Sequence, residues 1–526
     1  MNLIPLPNII EPRQGSFTLD GGLTLSCDEP LAQAAELFIG LYEKSFGKKP
    51  AAGGALKFIY DPSLAHEEYK LSVGGSVEIR ASGNVGAVYA VQTLRQLAGM
   101  DCSGGKAAAI PYAEISDKPR FGWRGVSFDV SRHFFGIGEL TRFVDFMSLL
   151  KLNVLHLHLS DDQGFRVQIE RYPELNSVGS WRNGTLRHDG KVYNDNVGHG
   201  GFYTKEELKG LVAYALARGV EIVPELDIPG HTVAIVASLP RLGCKGGQIP
   251  VREIFGISKD ILCGGNDETY KVICDILDEI TEIFPSRYVH LGGDEAPKQN
   301  WQKCPRCQAK IKEMGLKGEE GLQAYMFNYF ADYLAKKGKT AIGWNECLND
   351  GLAPGIVCQH WTPKLFGRNA LSVKHVNNGR KTIVSDYAKT YFDYAYAMTP
   401  LKKTFGFDPF TTLSGIKTEN RGNVIGVECN IWTEYIPSRE KLDFNVFPRI
   451  LGFAENAWRD QKTSYAGFVK RLNGFYPVLD ALDINYAKNQ EYPLAFFKRL
   501  SIVKKSLTTD AFIEVKKQRQ PQKAED

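Results

Sequence analysis

The sequence predicts an α/β protein: a (β/α)8 TIM barrel preceded by a small α/β N-terminal domain. Two observations carry the prediction. From Trp123 onward, eight short apolar segments each end in polar or charged residues and lead into a helical pattern, the order expected of a barrel. Before Trp123, period-two strands mix with two stretches of helical spacing, as in a small sheet covered by helices. A length of 526 residues accommodates both units.

In chain order, SFTLDGGLTLSC, ALKFIYD, EEYKLSV and VEIRA alternate as strands, while 30–46 and 84–98 place apolar residues at helical spacing. A Gly-rich loop around Ser103–Lys106 and the linker-like SDKPRFGW follow, which sets a boundary near Pro119 and a first domain of 1–119. The barrel strands are read as WRGVSFDVSR, NVLHLHLSDD, EIVPELDIPGH, YVHLGGDE, TAIGWNE, IVCQHW, TIVSDYAKTYFDY and NVIGVECNIWTE, within a domain of 120–475. Residues 476–526 are expected to form a helical extension and a polar tail.

Composition narrows the function classes. Hydrophobic residues at 43% and charged residues at 24% are ordinary for a folded protein, and a net charge of +4 over this length makes no basic stripe for nucleic acid. The one dense basic run, KKQRQPQK, sits near the C-terminus and reads as a solvated tail. Nothing has the length of about 18 apolar residues needed to span a membrane. The start, MNLIPLPNII, lacks a leader pattern, so the chain is cytoplasmic unless an export leader was removed. Oligomeric state is left open. Of ten cysteines only Cys304 and Cys307 form a tight pair, and no second CxxC or His pair follows it. That pair is therefore expected to be a local disulfide or plain thiols, with no metal and no cofactor.

Active sites of this fold gather at the C-terminal ends of the strands. Read there, the chain offers Arg132, Asp161 with Asp162, His231, Asp294 with Glu295, Trp344 with Glu346, Trp361, Tyr391 with Asp393, and Trp432 with Glu434. Carboxylates, an Arg and several Trp facing one cavity point to a sugar, because aromatic faces stack on pyranose C–H surfaces while charged groups bind hydroxyls. Glu346 and Asp162 are expected to support the site rather than touch substrate. His156 and His158 form an HxH pair like that of barrel metallohydrolases, but they precede Asp161 on the strand and should lie deeper in the barrel.

The adjacent pair in HLGGDE is the informative feature. Glycosidases that use two carboxylates place them on opposite sides of the scissile bond. Neighbours on one strand end suit instead a mechanism in which the 2-acetamido group of the substrate is the nucleophile. Glu295 would then be the proton donor, its pKa raised by a second carboxylate in a desolvated pocket, and Asp294 would stay ionised to hold the acetamide N–H. Gly292 and Gly293 make room for close approach, and His231 with Asp161 could relay charge to Glu295.

FDVSRHF, HLHLSDDQGFR, PELDIPGH, HLGGDE, GWNE, QHW, YFDY and NIWTE, in this order, resemble the glycoside hydrolase family 20 β-N-acetylhexosaminidases. NLIPLP, EEYKLSV and GAVYAVQTLRQL resemble that family's small N-terminal domain. The resemblance implies an exo-acting, retaining enzyme acting on β-linked N-acetylhexosamine oligosaccharides or glycoconjugates, with both GlcNAc and GalNAc termini expected as substrates. It implies that Arg132 and Glu434 bind the C3, C4 and C6 hydroxyl region, and that Trp344, Trp361 and Trp432 line the acetamide pocket. It further implies that Tyr391 donates to the acetamide carbonyl and that Asp393 contacts a hydroxyl. The loops 184–201 and 240–266 depart from the pattern and bear on the leaving-group side.

Overall fold

Alternation in the first part of the chain becomes a seven-stranded sheet. In the computed structural model, which describes residues 1–188, 192–362, 369–461 and 463–488, its strands are β1 (Ile9–Leu19), β2 (Thr24–Cys27), β3 (Ala51–Ala52), β4 (Leu56–Tyr60), β5 (Tyr69–Val73), β6 (Val77–Ala81) and β7 (Ala108–Asp117). They are ordered β1-β7-β5-β6-β4-β2-β3. On β5 and β6 every second residue is buried, the mark of a sheet covered on one face. Helix α1 (Ala32–Phe46) turns Ala34, Ala35, Phe38 and Tyr42 inward. Helix α2 (Asn84–Leu97) is buried along most of its length, because it also meets the barrel, where Gln92 Nε2 donates to Ser148 Oγ at 3.0 Å.

Strand β7 corrects the sequence reading, which ran a loop into a linker here. Residues 108–117 instead pair with β1 on one side and with β5 on the other, and Ser116 and Asp117 belong to the strand. Pro111 disguised it. A proline cannot donate to a ladder, and Pro111 lies where β7 has outrun β5 and keeps only β1, beside the irregularity between Pro12 and Ser16. For the same reason β1 begins earlier than expected, at Ile9.

The eight strands read from Trp123 onward close into a parallel barrel: β8 (Trp123–Asp129), β9 (Val154–His158), β10 (Glu221–Glu225), β11 (Tyr288–His290), β12 (Thr340–Trp344), β13 (Val357–His360), β14 (Thr382–Val384) and β15 (Val424–Ile431). β8 and β9 are buried at every position, as strands enclosed on both faces must be. Register aligns the strand ends that matter: Asp129 pairs with His158, and Glu225 pairs with both His158 and His290. Helices α3 (Ile137–Leu149), α4 (Lys205–Leu216), α5 (Asp267–Ile283), α6 (Gln299–Lys303), α7 (Pro305–Glu313) and α8 (Gly318–Lys336) fill the crossovers before β12. α4 starts at a capping box between Thr204 and Glu207, which satisfies end amides the helix cannot. A later helix, α9 (Tyr465–Ala481), runs through residue 475. The polar tail and most of the C-terminal extension lie outside the described residues. Among the described residues no helix is long and apolar enough to cross a membrane.

Buried charge ties sheet to barrel. Asp117, at the end of β7, accepts from Lys151 Nζ at 3.0 Å, from the Tyr69 hydroxyl at 2.8 Å and from Trp458 Nε1 at 3.0 Å. Arg124 reaches back to Glu67 and to the Tyr89 hydroxyl, each at 2.7 Å. Asp117→Ala would leave the Lys151 ammonium buried without its carboxylate partner. Equilibrium urea unfolding should show a loss of about 3–5 kcal/mol for Asp117→Ala, and less than that for Asp117→Ala combined with Lys151→Met, which removes both charges.

Candidate active site

The site is assembled from the ends of the barrel strands. Arg132 follows β8, Asp161 follows β9, His231 follows β10, and Asp294 and Glu295 follow β11. Two close approaches depend on glycine. A Cβ on Gly292 would lie 1.7 Å from Asp227 Oδ1, and one on Gly230 would lie 2.8 Å from the Asp294 carbonyl oxygen, so the PGH and GGDE turns meet backbone to backbone. His231 and Glu295 both adopt left-handed backbone angles, φ 53° and 43°. That conformation is uncommon for residues with a side chain and is held by surrounding structure. Glu346 helps, with its Oε2 accepting from the Glu295 amide at 3.3 Å.

Asp161 is the hub. It accepts from Arg132 Nη2 at 2.6 Å, from His158 Nε2 at 3.0 Å and from His231 Nδ1 at 3.1 Å. The other face of the His231 ring looks at the adjacent carboxylates, with Nε2 3.7 Å from Asp294 Oδ2 and 3.5 Å from Glu295 Oε2. The expected line from Asp161 through His231 to Glu295 is therefore present as geometry. Arg132 Nη2 is 3.9 Å from Glu434 Oε1, and the guanidinium lies 5.0 Å from the Trp432 ring centroid.

The aromatic residues form one wall. Trp344 and Trp432 are 5.9 Å apart, Tyr391 and Trp432 6.5 Å, and Trp361 and Tyr391 6.2 Å. Trp344 is the floor, fully buried, with Nε1 donating to Glu225 Oε1 at 2.9 Å. Asp294 Oδ1, Asp393 Oδ1 and Trp361 Nε1 are buried without a hydrogen-bond partner among the described residues.

Charge is distributed unevenly over the site. Burial would lower the His231 pKa, but Asp161, Glu295 and Asp294 raise it well above the usual histidine value. Burial would raise Asp161, yet Arg132 and then His231 hold it well below the carboxylate range. Asp294 is pushed up to about 6 by burial, with His231 opposing and the Glu295 charge adding to the rise. Burial and then the Asp393 charge raise Tyr391 well above the phenol range, which keeps its hydroxyl a donor.

Sequence reasoning missed the residues beneath the site. Glu225 meets His156 Nε2 at 3.1 Å, His290 Nδ1 at 2.9 Å and, in a short contact, His158 Nδ1. His156 also meets Glu428 Oε1 at 2.9 Å. Burial opposes charge on His156, but Glu428 and Glu225 raise its pKa to about 9. The HxH pair lies in the barrel interior, as its place on the strand predicted. Asp227 supports the GGDE turn by accepting the Gly293 amide at 3.1 Å. Asp129 joins the first strand to the last, taking the Ser131 amide at 2.8 Å and the Thr433 amide and hydroxyl at 2.9 Å each. The signal was available: ELD and FDV place carboxylates at strand ends. Asp162 behaves as expected, accepting the Val233 amide at 3.1 Å.

The cysteine pair requires a correction. Cys304 and Cys307 do not stand alone, because Cys244 and Cys263, remote in sequence, converge on them, and all four thiols are free.

Known proteins share this fold. The profile "Glycosyl hydrolase family 20, catalytic domain" matches residues 121–461, and "Glycosyl hydrolase family 20, domain 2" matches residues 1–118. The chain belongs to glycosyl hydrolase family 20. Within the family, it is 33% identical over 510 residues to a β-hexosaminidase of Porphyromonas gingivalis, covering 92% of this chain and 64% of that one. It is 34% identical over 469 residues to a β-hexosaminidase of Akkermansia muciniphila, covering 86% and 92%. The family 20 exo-β-N-acetylglucosaminidase of Vibrio harveyi, solved with N-acetylglucosamine, superposes with a TM-score of 0.83 at 29% identity, covering 93% of this chain and 78% of that one. The β-N-acetylhexosaminidase of Streptomyces coelicolor superposes with a TM-score of 0.81 at 30% identity, covering 94% and 99%. This is a glycoside hydrolase of the β-hexosaminidase family.

The raised Asp294 gives a pH signature. Since kcat/KM reports ionisations of the free enzyme, it should fall as pH drops through about 6, where Asp294 takes up a proton. Asp294→Asn should abolish that acid limb in whatever activity it retains, as read from a kcat/KM profile between pH 4 and 8.

Proposed function

We propose that this family 20 hydrolase is an exo-acting, retaining β-N-acetylhexosaminidase that releases terminal β-linked GlcNAc or GalNAc from oligosaccharides and glycoconjugates by substrate-assisted catalysis. The reading rests on one observation above the others. Asp294 and Glu295 both meet the same imidazole nitrogen, at 3.7 and 3.5 Å, rather than facing each other across the cleft. Two carboxylates so placed serve one side of the reacting centre, and the second nucleophile must then come from the sugar.

Glu295, the more exposed of the pair, donates a proton to the glycosidic oxygen as the C1–O bond breaks. The acetamide oxygen attacks C1 from the opposite face. Asp294, ionised above pH 6 and with Oδ1 unpartnered, accepts the acetamide N–H and stabilises the positive charge of the oxazolinium ring. Tyr391 donates to the acetamide oxygen and orients it. Water then adds to C1, Glu295 takes its proton, and the ring opens. Two inversions at C1 give net retention. Arg132, fixed by Asp161, holds the far hydroxyls with Glu434, while Asp393 accepts from another and Trp344, Trp361 and Trp432 enclose the methyl of the acetamide. His231 keeps a positive charge between Asp161 and the reacting pair. The exo-acting Vibrio harveyi relative supports removal of one terminal residue at a time.

Asp294→Asn should lower kcat by about 10²- to 10⁴-fold, and Glu295→Gln should lower it by about 10²- to 10⁴-fold on substrates with poor leaving groups. A chromogenic β-N-acetylglucosaminide assay on wild type and both variants tests this. A stable oxazoline mimic should inhibit far more strongly than free N-acetylglucosamine, and equal inhibition would remove the acetamide from the mechanism.

A further inference from the structure

We infer that Cys244, Cys263, Cys304 and Cys307 bind one zinc ion as a structural tetrathiolate site, which anchors the loop 245–262 over the mouth of the active site. The four sulfurs lie within 4.8 Å of one another. Three of their separations are 3.8 Å (Cys244–Cys307), 3.7 Å (Cys263–Cys304) and 3.6 Å (Cys263–Cys307). A tetrahedron of thiolates with Zn–S of about 2.3 Å has edges of about 3.8 Å. A disulfide needs its sulfurs about 2.05 Å apart, so the spacing matches a shared metal and not a pair of cross-links.

The local structure is built for it. Cys304-Pro-Arg-Cys307 brackets the start of α7, with Pro305 as its first residue, so both thiols sit where helix amides favour a thiolate. The other two thiols come from turns rich in glycine, Cys244-Lys-Gly-Gly and Cys263-Gly-Gly. A Cβ on Gly265 would lie 2.2 Å from the Arg306 carbonyl carbon, so the two turns touch directly. The Cys263 amide donates to the Leu242 carbonyl at 2.8 Å, which joins the two ends of the loop. Cys263, Cys304 and Cys307 are buried, and Cys244 is partly so. Arg306 supplies nearby positive charge and donates from Nη2 to the Gly243 carbonyl at 2.9 Å, offsetting the net negative charge of four thiolates around a divalent ion. Soft thiolates in a tetrahedral set select zinc or iron over hard cations, and a site closed by four protein ligands is structural.

The loop between Cys244 and Cys263 connects this site to catalysis. Its Arg252 amide donates to the Asp162 carbonyl at 3.2 Å, and Arg252 Nη1 is 3.3 Å from Asp162 Oδ2, next to Asp161. Phe255 lies 5.6 Å from the Tyr435 ring and 5.9 Å from the His133 ring, beside Glu434 and Arg132. Metal binding therefore holds a loop that borders the sugar site, on the side where the chain departs from its family's pattern.

Elemental analysis of the purified full chain should find one zinc per chain, lost in Cys304→Ser/Cys307→Ser. Titration of the unfolded, chelated protein should find all ten thiols reduced. If the double variant does not fold, the wild type decides alone: mercurial reagent should release one equivalent of zinc to a chromogenic chelator, and cobalt exchange should give the intense visible bands of a tetrahedral thiolate complex. A milder variant, Cys244→Ser, should lower Tm and raise KM for oligosaccharides more than it lowers kcat. Absence of bound metal with two disulfides, four reduced thiols that take up no added zinc, or one iron per chain in place of zinc would each overturn the assignment.

Discussion

The charge balance around Asp161 is the constraint on which the site depends. Three cationic or donor groups, Arg132, His158 and His231, arrive from the ends of three successive barrel strands and share its two oxygens. Without an ionised Asp161, the His231 proton would lose its strongest support, and the imidazolium beside Asp294 and Glu295 would be unfavourable in a buried position. Arg132 would lose its shorter carboxylate contact, at 2.6 Å, and keep only Asp129 at 3.3 Å and the distant Glu434. One carboxylate thus orders both the Arg132 side of the site and the side that carries His231, Asp294 and Glu295.

Beneath it lies a second polar layer. Glu225 collects His156, His158, His290 and the Trp344 indole in the barrel interior, while Glu428 is shared by His156, Gln359 at 2.6 Å and Trp123 at 2.8 Å. Buried ionic groups are seldom the most stable filling for a core. Here they set ring orientations directly below Asp161 and the Trp344–Trp432 wall. His158 belongs to both layers, since one nitrogen meets Glu225 and the other meets Asp161. The position of Asp161, and through His231 that of Asp294 and Glu295, is thereby tied to the packing of the barrel itself.

Much of this was legible because barrel strands announce themselves. Short apolar runs that end in polar residues placed Arg132, Asp161, His231, Asp294 and Glu295 on one rim, and the structure brings them together. Strand β7 was hidden because Pro111 interrupts its pattern and its only remaining neighbour there, β1, is irregular at the same level. Glu225, Asp227 and Asp129 were overlooked because a carboxylate at a strand end reads alike whether it faces the cleft or supports the residue that does. The difference is one of direction and depth.

Local physical chemistry, written residue by residue, determined the fold class, the strand ends and the adjacent carboxylates of HLGGDE, because periodicity and glycine placement act over a few neighbouring positions. What depends on convergence from distant segments belonged to the tertiary structure. The burial that puts the raised pKa on Asp294 comes from groups on several strands. The four-cysteine cluster joins the Cys304/Cys307 pair after β11 to Cys244 and Cys263 after β10, across intervals no short motif spans. Electrostatic shifts and metal geometry are sums over space, and only folding decides which residues enter the sum.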